Sequence, residues 1–182
     1  DYSSRGYDIA PALKNGSYWS IYICSIGTAS EASEIASKNG GCTVSSSAIV
    51  EILAGGDILA VADGSAPQLT PIDSSYISLG SKSYRGAMEF MRYNGGNITA
   101  VNIVTLDEYL YSVVPSEMPS TWHANALKAQ AVAARSYTAS RLTSHSDRGY
   151  NLCDASHCQI YGGVNSEKSN VTAIVDETAG VM

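Results

Sequence analysis

Apolar residues in the middle of the chain repeat with the spacing of an α-helix. They fall at positions i, i+3, i+4 and i+7: Leu106, Tyr109, Leu110 and Val113. Thr105 followed by Glu108 is a capping-box pattern at the start of this helix. Because the residue before a proline avoids the α region, Pro115 is expected to end the helix.

A second helix is predicted from about Ala124 to Leu142. Its apolar stripe consists of Leu127, Ala131 and Ala134. This stripe is rich in alanine, so a neighbouring element can approach it closely. Lys128 and Arg135 lie seven residues apart, and they are therefore expected on one face of the helix, two turns from each other.

Alternating apolar and β-branched residues predict strands on both sides of residues 64–74, a stretch rich in Pro, Ser and Gly that is the predicted linker. The predicted strands are Tyr18–Ile26, Ala48–Ala54, Asp57–Val61, Tyr76–Leu79, Tyr84–Tyr93 and Ile98–Val104, with hairpin turns at Gly55-Gly56 and at residues 94–97. Thr28 and Glu31 form a capping-box pattern for a short helix after the first strand.

Together these patterns predict an α+β fold. Residues 67–182 are expected to form the larger domain, in which the helix pair packs with antiparallel strands. Residues 1–66 are expected to form a small N-terminal α/β accessory module.

Composition narrows the class of protein. The chain has 182 residues, of which 45% are hydrophobic and 15% are charged, with a net charge of -6. This is enough apolar material for a core, and without a basic run nucleic acid and anionic membranes are disfavoured as partners. No apolar stretch approaches the length of a membrane span.

Low charge with many Ser, Thr, Asn, Gly and Tyr is typical of an extracellular surface. The chain begins at Asp1, so we expect that a signal peptide or membrane anchor was removed or lies outside it.

Glu117 stands out as a candidate catalytic residue. It lies between Pro115 and Pro119, with Met118 and Trp122 close behind. A carboxyl group held in a rigid turn beside apolar side chains is desolvated, which raises its pKa and makes it a general acid near neutral pH. The alternative is a glutamate that stabilises the N-terminus of the next helix.

Four soft ligands within 14 residues indicate a possible zinc site. They are His145, Cys153, His157 and Cys158. A disulfide between Cys153 and Cys158 is the alternative. Cys24 and Cys42 are either free or bonded to each other, and their spacing does not decide between the two states.

Two runs carry a resemblance to a known family. VNIVTLDEYLYSVVPSEMPSTWHANALKAQAVAARSYTASR, followed by YNLCDASHCQIYGG, closely resembles the sporulation protein D family, also called SpoIID/LytB-like, over about residues 76–182. The resemblance implies an extracytoplasmic peptidoglycan lytic transglycosylase, in the cell wall or anchored to the membrane through a segment outside this chain. Such enzymes cleave glycan strands that a partner amidase has stripped of stem peptides, in several cases during endospore engulfment.

The resemblance also implies roles for single residues. Glu117 matches the catalytic acid/base, and Lys128 and Arg135 fall on positions that matter for activity, where they would hold the substrate. Gln159 and Tyr161 are predicted to line a glycan groove, with core packing as the alternative for Tyr161. Some relatives bind zinc at the matching Cys–His segment, and four protein ligands would make that zinc structural.

One glutamate suffices for the implied reaction. The C6 hydroxyl of N-acetylmuramic acid attacks C1, Glu117 protonates the leaving oxygen and later takes the hydroxyl proton, and no cofactor is required. A hydrolase would need a second carboxylate from Asp107, Glu108 or Asp154, and the first two are better explained as stabilisers of the first helical turn.

Two alternatives to the lytic transglycosylase remain open. One is a non-catalytic glycan-binding or amidase-enhancing module, and the other is a zinc-dependent hydrolase. The string WSIYICSIGTASEASEIA resembles a SPOR-type glycan-binding module, for which a plain α/β scaffold is the alternative. Relatives continue beyond the position of Met182, so either this chain is a fragment or the remainder of the fold is supplied separately.

Overall fold

The fold combines helices with mainly antiparallel sheets, which confirms the predicted α+β class. The computed structural model describes residues 8–14, 18–24, 29–38, 49–54, 57–63, 66–73, 76–93 and 97–182. Two compact units divide the chain: Asp1–Pro67 with Phe90–Thr99, and Gln68–Glu89 with Ala100–Met182. The predicted accessory module of residues 1–66 stays a prediction.

Nine strands and four helices follow one another in the described residues. In chain order they are β1 Asp8–Lys14, β2 Tyr18–Cys24, α1 Ala29–Lys38, β3 Ile49–Ala54, β4 Asp57–Asp63, β5 Gln68–Leu69, β6 Ile77–Leu79, β7 Lys82–Tyr84, β8 Ala87–Arg92, β9 Ile98–Ile103, α2 Leu106–Glu117, α3 Ala124–Ser140 and α4 Ser169–Glu177. Within the ranges described, none of the helices has the length and apolar character needed to cross a bilayer.

The first unit contains a four-stranded sheet with the order β2-β1-β4-β3. Strand β1 pairs antiparallel with β2 and parallel with β4, and β3 pairs antiparallel with β4. The predicted pairing of the strand over residues 48–54 with the strand over residues 57–61 is therefore confirmed. The Gly55-Gly56 turn, the Thr28 cap and Cys42 lie outside the described residues.

A three-stranded sheet of order β5-β8-β9 and the β6-β7 hairpin complete the strands. The prediction of one strand over residues 84–93 is wrong, because the chain turns at Gly86, between β7 and β8. Gly86 has a φ of 67°, which favours glycine, and a Cβ there would overlap the carbonyl oxygen of Ile103.

The predicted linker also contains a strand. Gln68 and Leu69 of β5 pair with Glu89 and Met88 of β8, and the Gln68 amide nitrogen donates to a Glu89 carboxylate oxygen at 2.9 Å. Backbone pairing therefore orders this part of the stretch despite its composition. The predicted turn residues 94–96 lie outside the described ranges.

Helices α2, α3 and α4 enclose the main core of the second unit. Its fully or nearly buried members are Leu110, Val113, Val114, Leu127, Ala131, Ala134, Tyr161, Val171, Ile174 and Val175. The apolar faces predicted for α2 and α3 are confirmed. The sequence analysis predicted no helix at α4, although its buried residues follow helical spacing.

Helix α2 does not end at Pro115, so that prediction is wrong. It continues to Glu117, and the Met118 N–H closes the last turn on the Val114 carbonyl at 3.0 Å. Proline removes one helical hydrogen bond, but burial of Val114 in the core holds the preceding residue in helical geometry. Glu117 is therefore the last residue of a helix.

The capping box at the start of α2 is confirmed. The Glu108 N–H donates to Thr105 Oγ1 at 3.4 Å, and the Thr105 N–H donates to a Glu108 carboxylate oxygen at 3.1 Å. Two otherwise unpaired N–H groups of the helix terminus are thereby satisfied.

Replacing this cap should lower stability without disturbing the core. Thr105→Ala is expected to reduce the free energy of unfolding by about 1 kcal/mol, measured by urea denaturation, because the Glu108 N–H loses its acceptor. Thr105→Ser is the control and should behave like the wild type. Equal stability of all three proteins would contradict the role of the cap.

Candidate functional site

Glu117 lies at the carboxyl end of α2, where its Oε1 accepts a hydrogen bond of 3.0 Å from the main-chain N–H of Ile160. The side chain is exposed, so the predicted enclosure by apolar neighbours is wrong. The two apolar residues that follow Glu117 differ in exposure. Met118 packs against the core, whereas Trp122 is 55% exposed. The alternative role as a cap is not observed, because His123 caps α3 through Nδ1.

Arg135 is directed into the protein. It is 2% exposed, and its guanidinium donates to Asp107 Oδ1 at 2.9 Å and to the Val181 and Val175 carbonyls at 3.0 and 3.3 Å. Its Nε has no partner among the residues that the structure describes. The guanidinium thus joins α3 to α2, to α4 and to the segment after α4, and it presents almost no surface to a ligand.

Lys128 lies on the same side of α3 as Arg135, which the seven-residue spacing predicted. Its Nζ is 2.6 Å from a carboxylate oxygen of Glu177, and both side chains are well exposed. Both predicted cations therefore face α4 and the chain after it, whereas the Glu117 carboxylate contacts Ile160. The structure does not join the three residues into one contact set.

Gln159 and Tyr161 are both internal. The Gln159 side-chain oxygen accepts from Thr138 Oγ1 at 2.7 Å and from the Tyr109 hydroxyl at 3.2 Å. The Tyr161 hydroxyl donates to Asn102 at 2.6 Å, and its ring stacks on Tyr109 within the core. Burial raises the pKa of the Tyr161 hydroxyl. Tyr161 therefore packs in the core, which was the alternative to a position in a glycan groove.

The four predicted zinc ligands do come together. The ligand atoms of His145, Cys153, His157 and Cys158 all lie within 4.8 Å of one another. Cys158 Sγ is 3.3 Å from His145 Nε2 and 3.5 Å from His157 Nδ1, and Cys153 Sγ is 3.8 Å from the same His157 nitrogen. Atoms bound about 2.0–2.3 Å from a tetrahedral zinc lie about 3.3–3.8 Å apart, so these three distances suit such an ion and the cluster could hold a metal.

The two thiols of this Cys–His cluster are free and differ in their protonation. Desolvation raises the pKa of Cys158. Desolvation acts the same way on Cys153, but hydrogen bonding with the Ala155 backbone, Cys158 and the two histidines outweighs it and lowers the pKa of Cys153 to about 6. The lowered pKa of Cys153 favours its thiolate, which is the form that binds metals.

Two of the carboxylates that were considered as partners of Glu117 lie far from it. Asp107 pairs with Arg135, and Glu108 belongs to the capping box, both at the opposite end of α2. At about 1.5 Å per residue, these lie about 13–15 Å from Glu117 along the helix axis. Paired glycosidase carboxylates are separated by about 5–9.5 Å, so neither suits that role. Asp154 lies 3.8 Å from Lys82 Nζ.

Ile160 is the site residue that sequence reasoning missed. Its contribution is a main-chain N–H, which leaves no mark in the side-chain pattern. Its position directly after the Cys–His cluster was the available signal. The neighbouring Gly162 N–H donates to Ser112 Oγ of α2 at 3.0 Å, so two amides of this segment reach the same helix.

Comparisons with known proteins find a family match in the second half of the chain. Residues 94–182 match the SpoIID family model, described as stage II sporulation protein. The chain is 38% identical over 108 residues to the amidase enhancer of Bacillus subtilis, covering 59% of the chain and 14% of that relative. It is 40% identical over 73 residues to stage II sporulation protein D of the same organism, covering 38% and 21%.

An uncharacterized protein of Brachyspira hyodysenteriae is 32% identical over 102 residues, covering 56% of the chain and 27% of that relative. The chain therefore spans between 14% and 27% of the length of these curated relatives. No solved structure matches the chain significantly.

Removing the two cations should separate their roles. Arg135→Met is expected to lower the free energy of unfolding by about 2–4 kcal/mol, because it leaves two carbonyls and Asp107 without their buried partner. Lys128→Met, on the same helix, should change it by less than about 0.5 kcal/mol, because the pair with Glu177 is exposed. Urea denaturation measures both. Similar small losses in both variants would contradict the internal role of Arg135.

Proposed function

We propose that this chain is part of a peptidoglycan lytic transglycosylase with a cell-wall role linked to sporulation, because residues 94–182 match the SpoIID family model. The substrate would be denuded glycan strands, cleaved between N-acetylmuramic acid and N-acetylglucosamine. Its place would be extracytoplasmic, on the cell wall or anchored through a segment outside this chain. The match to sporulation protein D supports the proposal.

One observation carries the chemistry: Glu117 is an exposed carboxyl group held by a main-chain N–H and remote from the other carboxylates of its helix. An acid without a carboxylate partner on its own helix suits a reaction whose nucleophile belongs to the substrate. Glu117 would give its proton to the glycosidic oxygen as the bond from C1 breaks. The C6 hydroxyl would then bond to C1 and return its proton to Glu117, leaving a 1,6-anhydro end.

Desolvation of Glu117 would come from the bound sugar. In this chain the carboxyl group faces solvent, and a glycan strand laid over it would exclude that water. Trp122, five residues after Glu117, is 55% exposed and offers apolar surface. A tryptophan ring presents a flat apolar face of the kind that suits a pyranose.

The other predicted residues take supporting parts in this proposal. Arg135 would act by positioning α2, since its guanidinium is occupied by Asp107 and by main-chain carbonyls. Lys128 is exposed and stays a proposed glycan contact. Gln159 and Tyr161 would support the segment that holds Glu117 from inside the fold.

We further propose that the Cys–His cluster holds a structural zinc ion. His145, Cys153, His157 and Cys158 would supply all four ligands and leave no open position for a substrate or water. The ion would join the segment around residue 145 to the segment at residues 153–158. The glycosidic chemistry would need no cofactor.

A second function is favoured by the amidase-enhancer relative. In that case the chain would bind glycan and increase the activity of a cell-wall amidase without cleaving glycan. Both functions involve binding of glycan strands, but only the enzymatic function requires Glu117.

Glu117→Gln tests the enzymatic proposal. The variant should form no 1,6-anhydro ends from denuded glycan, as measured by mass spectrometry, because an amide cannot donate the proton. Glycan binding should be nearly unchanged. Glu108→Gln is the matched control, since glutamine also completes a capping box, and it should stay active. Unchanged anhydro product from Glu117→Gln would end the proposal, and glycan binding with amidase stimulation alone would favour the second function.

Metal removal tests the zinc proposal. Elemental analysis should find one zinc per chain, and chelation should lower Tm by about 5–10 °C, with recovery when zinc is added back, because bound metal stabilises only the folded state. A metal-free protein with a Cys153–Cys158 disulfide, detected by a free-thiol count, would contradict a zinc site. Loss of activity on chelation without a change in Tm would instead indicate zinc-dependent hydrolysis.

A further inference from the structure

We propose that the main-chain N–H of Ile160 is a positioning group for Glu117, an inference that rests on the proposed transglycosylase function. This N–H donates to Oε1 of the carboxyl group at 3.0 Å. It would hold the carboxyl plane in one orientation and leave Oε2 to exchange the proton with the glycan.

The two oxygens of Glu117 have different surroundings. Oε1 is the acceptor of the Ile160 N–H, whereas Oε2 receives no hydrogen bond from another residue in the described ranges. In a protonated carboxyl group the carbonyl oxygen is the better acceptor, so the amide favours placing the proton on Oε2. After proton transfer the same N–H supports the negative charge, and it needs no reorientation to do so.

Residues 159–163, here called the clamp segment, are rigidly held, so the Ile160 amide has a defined position. Side chains of three other elements and one loop carbonyl bind this segment. The contacts are Thr138 Oγ1 to Gln159 Oε1, Tyr161 hydroxyl to Asn102 Oδ1, Tyr161 N–H to the Asp154 carbonyl, and Gly162 N–H to Ser112 Oγ. An amide in a freely moving loop would give no such orientation.

Close packing adds to these hydrogen bonds. Gly163 has a φ of 67°, and a Cβ there would overlap the Ser83 carbonyl oxygen of β7. On the other side, the buried pair His145 and Cys158 fixes the chain two residues before Ile160. The clamp segment is thus held at both of its ends, and the N–H of Ile160 within it reaches Glu117 of α2.

Variants at Ile160 can remove the N–H alone. The side chain is 43% exposed, so Ile160→Ala keeps the amide and disturbs little, whereas Ile160→Pro removes the N–H. A third protein carries the α-hydroxy acid analogue of isoleucine at this position, which replaces the amide with an ester and retains the side chain. All three are compared with the wild type on denuded glycan, with matched thermal unfolding curves.

We expect the ester and Ile160→Pro proteins to lose about 10- to 100-fold in kcat while KM stays within about twofold, because the acid is misoriented but the glycan surface is intact. Ile160→Ala should retain the wild-type kcat. A wild-type kcat in the ester protein would overturn the inference, as would an equal loss in Ile160→Ala. If Ile160→Pro does not fold, the ester protein decides.

A separate measurement distinguishes this inference from the proposed function. A wild-type chain that forms no anhydro ends would overturn the transglycosylase proposal. The contact itself is tested by NMR hydrogen exchange of the Ile160 amide, which should be about five- to tenfold faster in Glu117→Ala than in the wild type or in Glu108→Gln. An unchanged exchange rate would overturn the positioning contact whatever the activity.

Discussion

Arg135 carries its positive charge into the interior of the helical core, and the arrangement of the helices depends on how that charge is satisfied. Its partners come from three places: Asp107 at the start of α2, the Val175 carbonyl of α4, and the Val181 carbonyl beyond it. A buried charge is costly unless partners surround it, so these segments must be in place together. Helix α2 is thereby held at its first turn, while Leu110 and its neighbours pack along its length.

The other end of α2 carries Glu117, and there a second set of contacts takes over. The clamp segment reaches α2 through two amides, from Ile160 to Glu117 and from Gly162 to Ser112. The Cys–His cluster lies immediately before this segment in the chain. The proposed acid is therefore supported both through its own helix and through a main-chain N–H from a distant part of the sequence. The Glu117 carboxyl group can face solvent and still keep a defined orientation, because the main-chain N–H of Ile160 holds it.

Local patterns predicted much of the fold. The capping box of Thr105 was recognisable because both partners lie within one turn, and the apolar faces of α2 and α3 were recognisable because helical spacing repeats. Errors arose where tertiary contacts outweigh local preference. Pro115 was expected to stop a helix that core packing continues to Glu117, and Gly86 divides a run that alternation alone assigns to one strand. The four residues of the Cys–His cluster were recognisable because cysteine and histidine side chains are typical metal ligands.

The order of residue types was sufficient to indicate an acid in a motif, a cluster of possible metal ligands, and helices α2 and α3. Burial and orientation were decided only in three dimensions. Arg135 was indistinguishable from a surface cation until residues 28 and 46 positions away enclosed it. Glu117 was expected among apolar neighbours and instead faces solvent, held by Ile160 from 43 positions away. The physical reason is that desolvation and main-chain hydrogen bonding depend on which segments meet, and a main-chain N–H is the same at almost every residue.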